Sequence, residues 1–275
     1  MADRLPELLA PAGGPDALLA ALRCGADAVY VGAWDFSARQ SAENFDAAAL
    51  QEACRLCHLY GAKLYLAVNT LVFDNQFVLL DALTRQAAEA GVDAFIMQDL
   101  GAIARVRQIC PTMPIHASTQ MTIHTVQGAL EAARLGIRRV VAARELSCKE
   151  LKTLCGTGME IEVFCHGALC MSVSGQCYLS AMVGSRSANR GRCAQACRLP
   201  FTSCGDPEAC ALSLKDLCSV QQIPALVQMG VASLKIEGRM KRPEYVAVIT
   251  SIYRRLLDEK RRPTREEQRQ LELAF

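Results

Sequence analysis

Cys170, Cys177, Cys193 and Cys197 are spaced C-x6-C-x15-C-x3-C. Four thiolates are the donor set of a 4Fe–4S cube or of a tetrahedral zinc. The spacing is wider than the close CxxC pairs of zinc ribbons, which favours the iron–sulfur cluster and leaves zinc as the alternative. Small residues flank the thiols (Ser172, Ser174, Gly175, Gly191, Ala194 and Ala196), so backbone amides can approach cluster sulfurs. Cys165 and Cys210 are further candidates for the fourth ligand. The competing reading is a set of free thiols in a loop.

Other residue types that carry chemistry fall at the ends of apolar runs. His166 is the one histidine inside the cysteine-rich stretch, and it invites comparison with a Cys–His hydrolase. No HExxH motif occurs, which removes the usual zinc-protease signature. Glu162 and Glu237, with His116, are candidate acids or bases, the glutamates on condition that burial raises their pKa. Arg144, Lys215, Lys235 and Arg239 are candidates to clamp a carboxylate-bearing small molecule by charge-assisted hydrogen bonds. Asn69, Gln98, Ser118 and Gln120 add polar groups at further run ends. Arg186, Arg190, Arg192 and Arg198 form the best local basic patch for a nucleic acid.

The elements that must position these groups follow a simple alternation. A helical stretch ends in glycine and a short β-rich run follows. Gly25 precedes Ala28–Val31, Gly61 precedes Leu64–Val68, Gly91 precedes Ala94–Met97, Gly136 precedes Val140–Ala143 and Gly230 precedes Ser233–Ile236. Glycine just past a helix supplies the left-handed turn that ends it. The nearly unbroken apolar runs suit parallel strands covered on both faces. Glu7–Ala10, Ile115–Ser118, Ile161–Phe164 and Ala211–Leu214 complete about eight or nine expected strands. Helices are expected over 44–60, with Asn44 or Asp46 as cap, and over 76–90, 126–135, 244–258 and 264–275. This pattern predicts a (β/α)8 barrel of one domain over residues 1–275; an open doubly wound sheet is the runner-up, but its glycine-rich dinucleotide loop is absent. Residues 165–206, rich in Cys, Ser, Gly and Arg, interrupt the alternation and are expected to lie over the C-terminal rim of the strands.

Composition bounds the function classes. Net charge is +2, which neither demands nor excludes nucleic acid. No apolar run approaches the roughly 18 residues of a membrane helix, and the start lacks a signal-peptide pattern, so a soluble cytoplasmic protein is expected, with no membrane partner. Of fourteen cysteines, eight lie between Cys165 and Cys218, and in that compartment such a cluster points to metal or redox chemistry rather than disulfides. The last expected helix has no cap after it, so the chain is expected to be part of a longer protein.

Several of these stretches resemble peptidase family U32. They are Glu7–Gly13, Glu162–Cys170, Ser174–Ser180, Arg190–Arg198, Leu212–Leu217 and Lys235–Arg239. The resemblance covers essentially the whole chain and is nearest to the long bacterial type, in which the barrel is followed by a further C-terminal region. It implies a 4Fe–4S cluster and oxygen-independent hydroxylation of a ribosomal RNA cytidine, a tRNA wobble uridine or a quinone ring. For the RNA members it implies prephenate, whose two carboxylates would suit the four cations. It also implies the alternative of a collagenase-like peptidase, since some relatives carry that name; a non-catalytic cluster-carrying assembly factor is a third reading. Relatives differ in which cysteine completes the set, so Cys197 and Cys210 both remain candidates. With 5% aromatic residues, the chain is expected to bind the small dicarboxylate but to need further surface for RNA.

Overall fold

A computed structural model describes residues 5–39, 45–202 and 209–274. The chain alternates strand and helix: β1 (Glu7–Pro11), α1 (Pro15–Arg23), β2 (Ala28–Gly32), α2 (Ala47–Leu59), β3 (Lys63–Val68), α3 (Phe77–Ala90), β4 (Ala94–Met97), α4 (Leu100–Ile109), β5 (Ile115–Ala117), α5 (Val126–Arg134), β6 (Arg139–Val141), α6 (Cys148–Cys155) and β7 (Glu160–Gly167). After the cysteine-rich excursion, which holds α7 (Leu179–Gly184), come β8 (Leu217–Cys218), α8 (Ile223–Gln228), β9 (Ser233–Ile236), α9 (Pro243–Asp258) and α10 (Arg265–Leu273). Strands β1 to β7 pair in sequence, β7 pairs with β9 and β9 with β1, all in parallel. The sheet therefore closes into an eight-stranded barrel.

Local chemistry explains the element ends. Asp46, Asp99, Thr125, Ser147 and Thr264 cap helices by accepting from backbone N–H groups, and the last two are reinforced by Glu150 and Glu267 in capping boxes. Asn44, the other cap candidate for α2, lies outside the described residues. The five glycines that precede strands all take φ between +72° and +87°.

Alternation along each strand divides the core in two. Leu8, Val29, Leu64, Leu66, Phe95, Ile115, Val140, Ile161 and Leu234 face outward and pack with the helices in one large cluster. Leu9, Ala28, Tyr30, Tyr65, Ala94 and Ile96 face the axis. The lower barrel interior also carries charge. Arg139, first residue of β6, contacts Glu7 at 2.6 Å, Glu160 at 2.9 Å and Glu162 at 3.2 Å, while Glu162 also holds Lys235 at 2.9 Å. Tyr65 donates to Glu7 at 2.8 Å. The strands are thus less uniformly apolar than they read.

Ala211–Leu214, expected as a strand, forms a turn instead. The barrel is complete without it. Arg198 binds Ser213 Oγ at 2.8 Å and the Leu214 carbonyl, which ties this segment to the excursion instead of to the sheet. The chain returns through β8, which pairs antiparallel with the end of β7, His166 opposite Cys218 and Gly167 opposite Leu217.

Candidate functional site

A cavity of about 680 Å³ occupies the C-terminal mouth of the barrel, where active sites of this architecture lie. The strand ends form its floor and the excursion forms its roof. Six cations line it (Arg39, Arg144, Arg198, Lys235, Arg239 and Lys241) against two carboxylates, Asp216 and Glu237. The space is therefore electropositive and suited to an anion.

The excursion is tied down at several points. Glu145 accepts from the backbone N–H of Ser174 at 2.6 Å and from its hydroxyl at 3.3 Å. Arg190 donates to the Leu71 carbonyl at 2.7 Å and to Gln76 at 2.9 Å, with its guanidinium 4.1 Å from the Phe73 ring centroid. Arg198 donates to the Leu169 carbonyl at 2.8 Å besides its bonds to Ser213 and Leu214. Arg190 and Arg198 are thus internal staples, while Arg186 and Arg192 of the expected basic patch are exposed.

Cys170, Cys177, Cys193 and Cys197 all line the roof of this one cavity. Backbone amides approach two of the sulfurs: Leu179 N–H donates to Cys177 Sγ and Gln195 N–H to Cys193 Sγ, each at 3.4 Å. Burial raises the pKa of Cys197, and the neighbouring Cys170 and Cys193 raise it further while Arg198 lowers it. Among the described residues no three His, Cys, Asp or Glu side chains are grouped tightly enough to hold one ion. A four-iron cube takes its thiolates on four separate irons, so its ligands stand farther apart than four ligands on one zinc. Four thiolates on the roof of one cavity are a donor set that such a cluster takes. Cys210 is exposed and outside the lining; Cys165 is fully buried, donates to the Lys235 carbonyl at 3.4 Å, and has its pKa pushed up by burial.

The candidate acids and bases separate. Glu237 lines the cavity, 3.1 Å from Arg39 and 3.4 Å from the Tyr30 hydroxyl. Burial raises its pKa, but Arg39, Arg239, Arg144 and Lys235 outweigh that and lower it overall. Glu162 is fully buried below the cavity. Desolvation pushes its pKa up, yet Lys235, Arg139 and His116 hold it at about 2. Both carboxylates are therefore ionised, so the condition of a raised pKa is not met. His116 is buried beside Tyr65, ring centroids 4.7 Å apart, and does not line the cavity.

His166 also points away. The pairing of β7 with β9 skips a residue between Phe164 and His166. Phe164 opposes inward Lys235, but His166 opposes outward Ile236, so the bulge turns the imidazole to the helix side. There it meets the Tyr253 hydroxyl at 3.3 Å and the edge of that ring.

Burial lowers the pKa of His116 to about 3, with Arg139 the next cause, and that of His166 to about 4, with Lys241 the next cause. Both folded values lie below the unfolded value near 6.5, so the unfolded state binds more protons below that pH. Stability is complete above about pH 6.5 and falls as pH drops toward the folded values. Urea unfolding at about pH 7 and about pH 5 is expected to differ by ~1 kcal/mol or more per histidine. Substituting both with Asn or Gln should flatten that difference; an unchanged slope would contradict the assignment.

Of the candidate cations, Arg144 stacks over Phe164 at 5.4 Å and has no hydrogen-bond partner at Nε; among the described residues it makes no ion pair. Lys235 lies 4.5 Å from the Tyr30 ring centroid. Arg239 donates to Ser37 Oγ at 2.6 Å, and burial lowers its pKa to about 10. Lys215 is exposed and takes no part in the lining. Asn69 lines the cavity, and Gln98 supports it from behind, donating to its carbonyl at 2.8 Å. Tyr30, Ser37 and Arg39 belong to the site although nothing in the sequence reading singled them out for it.

The chain was compared with known proteins. A 23S rRNA 5-hydroxycytidine synthase of Escherichia coli (strain K12) is 41% identical over 259 residues, covering 92% of this chain and 39% of that protein. A tRNA hydroxylation protein P1 of Bacillus subtilis (strain 168) is 36% identical, covering 92% and 63%. A protein named collagenase from Porphyromonas gingivalis is 35% identical, covering 92% and 65%. The chain thus spans between about two fifths and two thirds of the length of these relatives. A solved U32 peptidase structure aligns with TM-score 0.52 at 12% identity over 61% of this chain and 72% of its own, a likeness of fold. Residues 13–275 match the model of peptidase family U32, and the chain belongs to that family.

Proposed function

We propose that this chain is the barrel of an RNA base hydroxylation enzyme, acting on a pyrimidine, with ribosomal RNA cytidine as the leading substrate. The observation that carries the reading is a single cavity, in a U32-family barrel, with four cysteines in its roof and six cations around it. Relatives named for rRNA and tRNA hydroxylation match at 41% and 36% identity, which supports RNA over other substrates. Cys170, Cys177, Cys193 and Cys197 would hold a 4Fe–4S cluster, which supplies one-electron chemistry when bound. Arg144 and Arg239 would take the carboxylates of a small dianion such as prephenate, Arg144 with its uncommitted guanidinium and Arg239 from its seat on Ser37. Lys235, fixed by Glu162, would keep the floor cationic. The buried floor, with Tyr30 in its lining, strengthens these charges relative to water.

A peptidase reading finds less support. His166 faces Tyr253, outside the cavity, and burial raises the neighbouring Cys165 thiol, so the pair offers no exposed thiolate and base.

Two measurements test the proposal. Anaerobically purified protein is expected to be brown, with about four iron and about four sulfide per chain, and Cys170→Ser or Cys193→Ser should abolish the colour. Colourless protein with stoichiometric zinc would overturn the cluster. In a strain lacking the gene, RNA mass spectrometry should find one pyrimidine lighter by one oxygen, restored by the full-length gene. Unchanged RNA together with cleavage of collagen-like peptides would overturn the hydroxylation.

A further inference from the structure

Three amides in the cavity wall form a chain whose polarity is fixed from one end. The backbone N–H of Ala38 donates to Asn69 Oδ1 at 3.0 Å. A backbone N–H can only donate, so the oxygen of the Asn69 amide must face Ala38 and its nitrogen must face the other way. That nitrogen donates to Gln120 Oε1 at 3.0 Å. The oxygen of Gln120 is thereby taken, and Nε2 is left with two hydrogens that meet no acceptor among the described residues. The backbone holds both partners in place. Gln98 donates to the Asn69 carbonyl at 2.8 Å, and Gln120 sits in the one-turn helix that follows β5.

Gln120 lines the cavity. A Cβ built at Gly175, in the roof, would stand 3.7 Å from Gln120 Cγ and 3.8 Å from Arg144 Nη2. The Gln120 side chain and the Arg144 guanidinium therefore flank the same bare stretch of roof backbone. A carboxylate finds its partner in Arg144. The neutral amide, pinned as donor, matches a neutral carbonyl.

We infer that Gln120 is a specificity-determining residue that takes the 2-carbonyl of a pyrimidine base, with Asn69 as the positioning residue that sets its polarity; this rests on the proposal that the cavity admits an RNA base. A site built to hydrogen-bond a substrate group discriminates strongly, because its polar atom is left unpaired when the group is missing. Adenine has no carbonyl and can offer the donor only a ring nitrogen, in a ring of different shape.

The test is ligand-observed NMR with full-length protein, using CMP, UMP, AMP and prephenate as separate probes. CMP and UMP both carry the 2-carbonyl. Gln120→Leu is expected to weaken both by about tenfold, leaving AMP and prephenate unchanged. Asn69→Asp leaves residue 120 intact but offers it only acceptors, so Gln120 must turn its nitrogen to residue 69 and its oxygen to the cavity; a loss of about the same size is expected. Thermal melts matching the wild type exclude misfolding, and Gln120→Asn provides a second variant that retains a donor. Unaltered CMP and UMP binding in Gln120→Leu, or no binding by the wild type, overturns the inference. A loss confined to prephenate also overturns it, because the amide then serves a carboxylate. Failure of the RNA measurement above would count against hydroxylation alone, since nucleotide binding reads this subsite directly.

Discussion

Arg139→Met is expected to destabilise the protein by roughly 3–5 kcal/mol, the cost of leaving buried charges without their partner. Arg139 joins Glu7, Glu160 and Glu162 inside the lower barrel, with 6% of its side chain exposed. Desolvation works against its charge, but Glu162 and Glu7 outweigh that and keep it protonated. Removing it takes a partner from three carboxylates: Glu7 keeps Lys63 and Tyr65, Glu160 keeps Arg138, and fully buried Glu162 keeps Lys235. Urea unfolding measures the loss. Adding Glu162→Gln to Arg139→Met should not recover it, since buried Lys235 then loses its carboxylate partner. Arg139→Lys should lie between, because an ammonium cannot reproduce the fork that meets Glu7 and Glu160 together. A loss below about 1 kcal/mol for Arg139→Met would mean that water reaches this layer and that the network is not buried as described.

Gly167→Ala is the second large effect expected, about 3 kcal/mol or more. Gly167 ends β7 with φ +108°, a conformation closed to residues with a side chain. A Cβ there would stand 2.5 Å from the Glu237 carbonyl oxygen and 3.0 Å from the Tyr245 hydroxyl. That carbonyl accepts from Tyr245 at 2.9 Å, so it cannot move without breaking the bond. The strain falls between the barrel and the excursion, next to Glu237 in the cavity. Urea unfolding should show the destabilisation, and the iron content of anaerobic protein should fall with it. Gly184→Ala, where nothing lies within 4 Å of the added carbon, is the matched control and should be near neutral. Equal stability of the two variants would show that the backbone at 167 relaxes freely.

The barrel was legible because its signals are local. Each glycine that ends a helix and each short apolar run is decided by neighbours in sequence, and the closed sheet follows from their regular count. Ala211–Leu214 misled because alternation alone does not provide a pairing partner; Arg198, thirteen or more residues earlier, ties that segment to the excursion instead. The cysteines were legible by residue type. The floor was not, because in a strand covered on both faces an apolar run does not disclose which residue points to the axis. Tyr30 stands between Val29 and Val31, and only its parity with Ala28 places it in the barrel. His166 shows the same limit more sharply: one skipped residue in the β7–β9 register reverses its direction, and no sequence signal marks a bulge between Phe164 and His166. Arg39 and Ser37 reach the site through long-range partners, Glu237 and Arg239, which no local pattern joins.

The short antiparallel pair of β8 with the end of β7 gives the excursion adjacent ends. The chain leaves the barrel at Gly167 and rejoins it at Leu217, beside its point of departure. Such a segment can change length without asking the strands to move, and the entropy of closing it grows only logarithmically, about 0.6 kcal/mol for each doubling. The roof is therefore the part of this molecule in which insertions and exchanges are least costly, provided that the straps at Ser174, Arg190 and Arg198 are kept. One barrel can in this way serve substrates of different size by carrying roofs of different size over an unaltered floor.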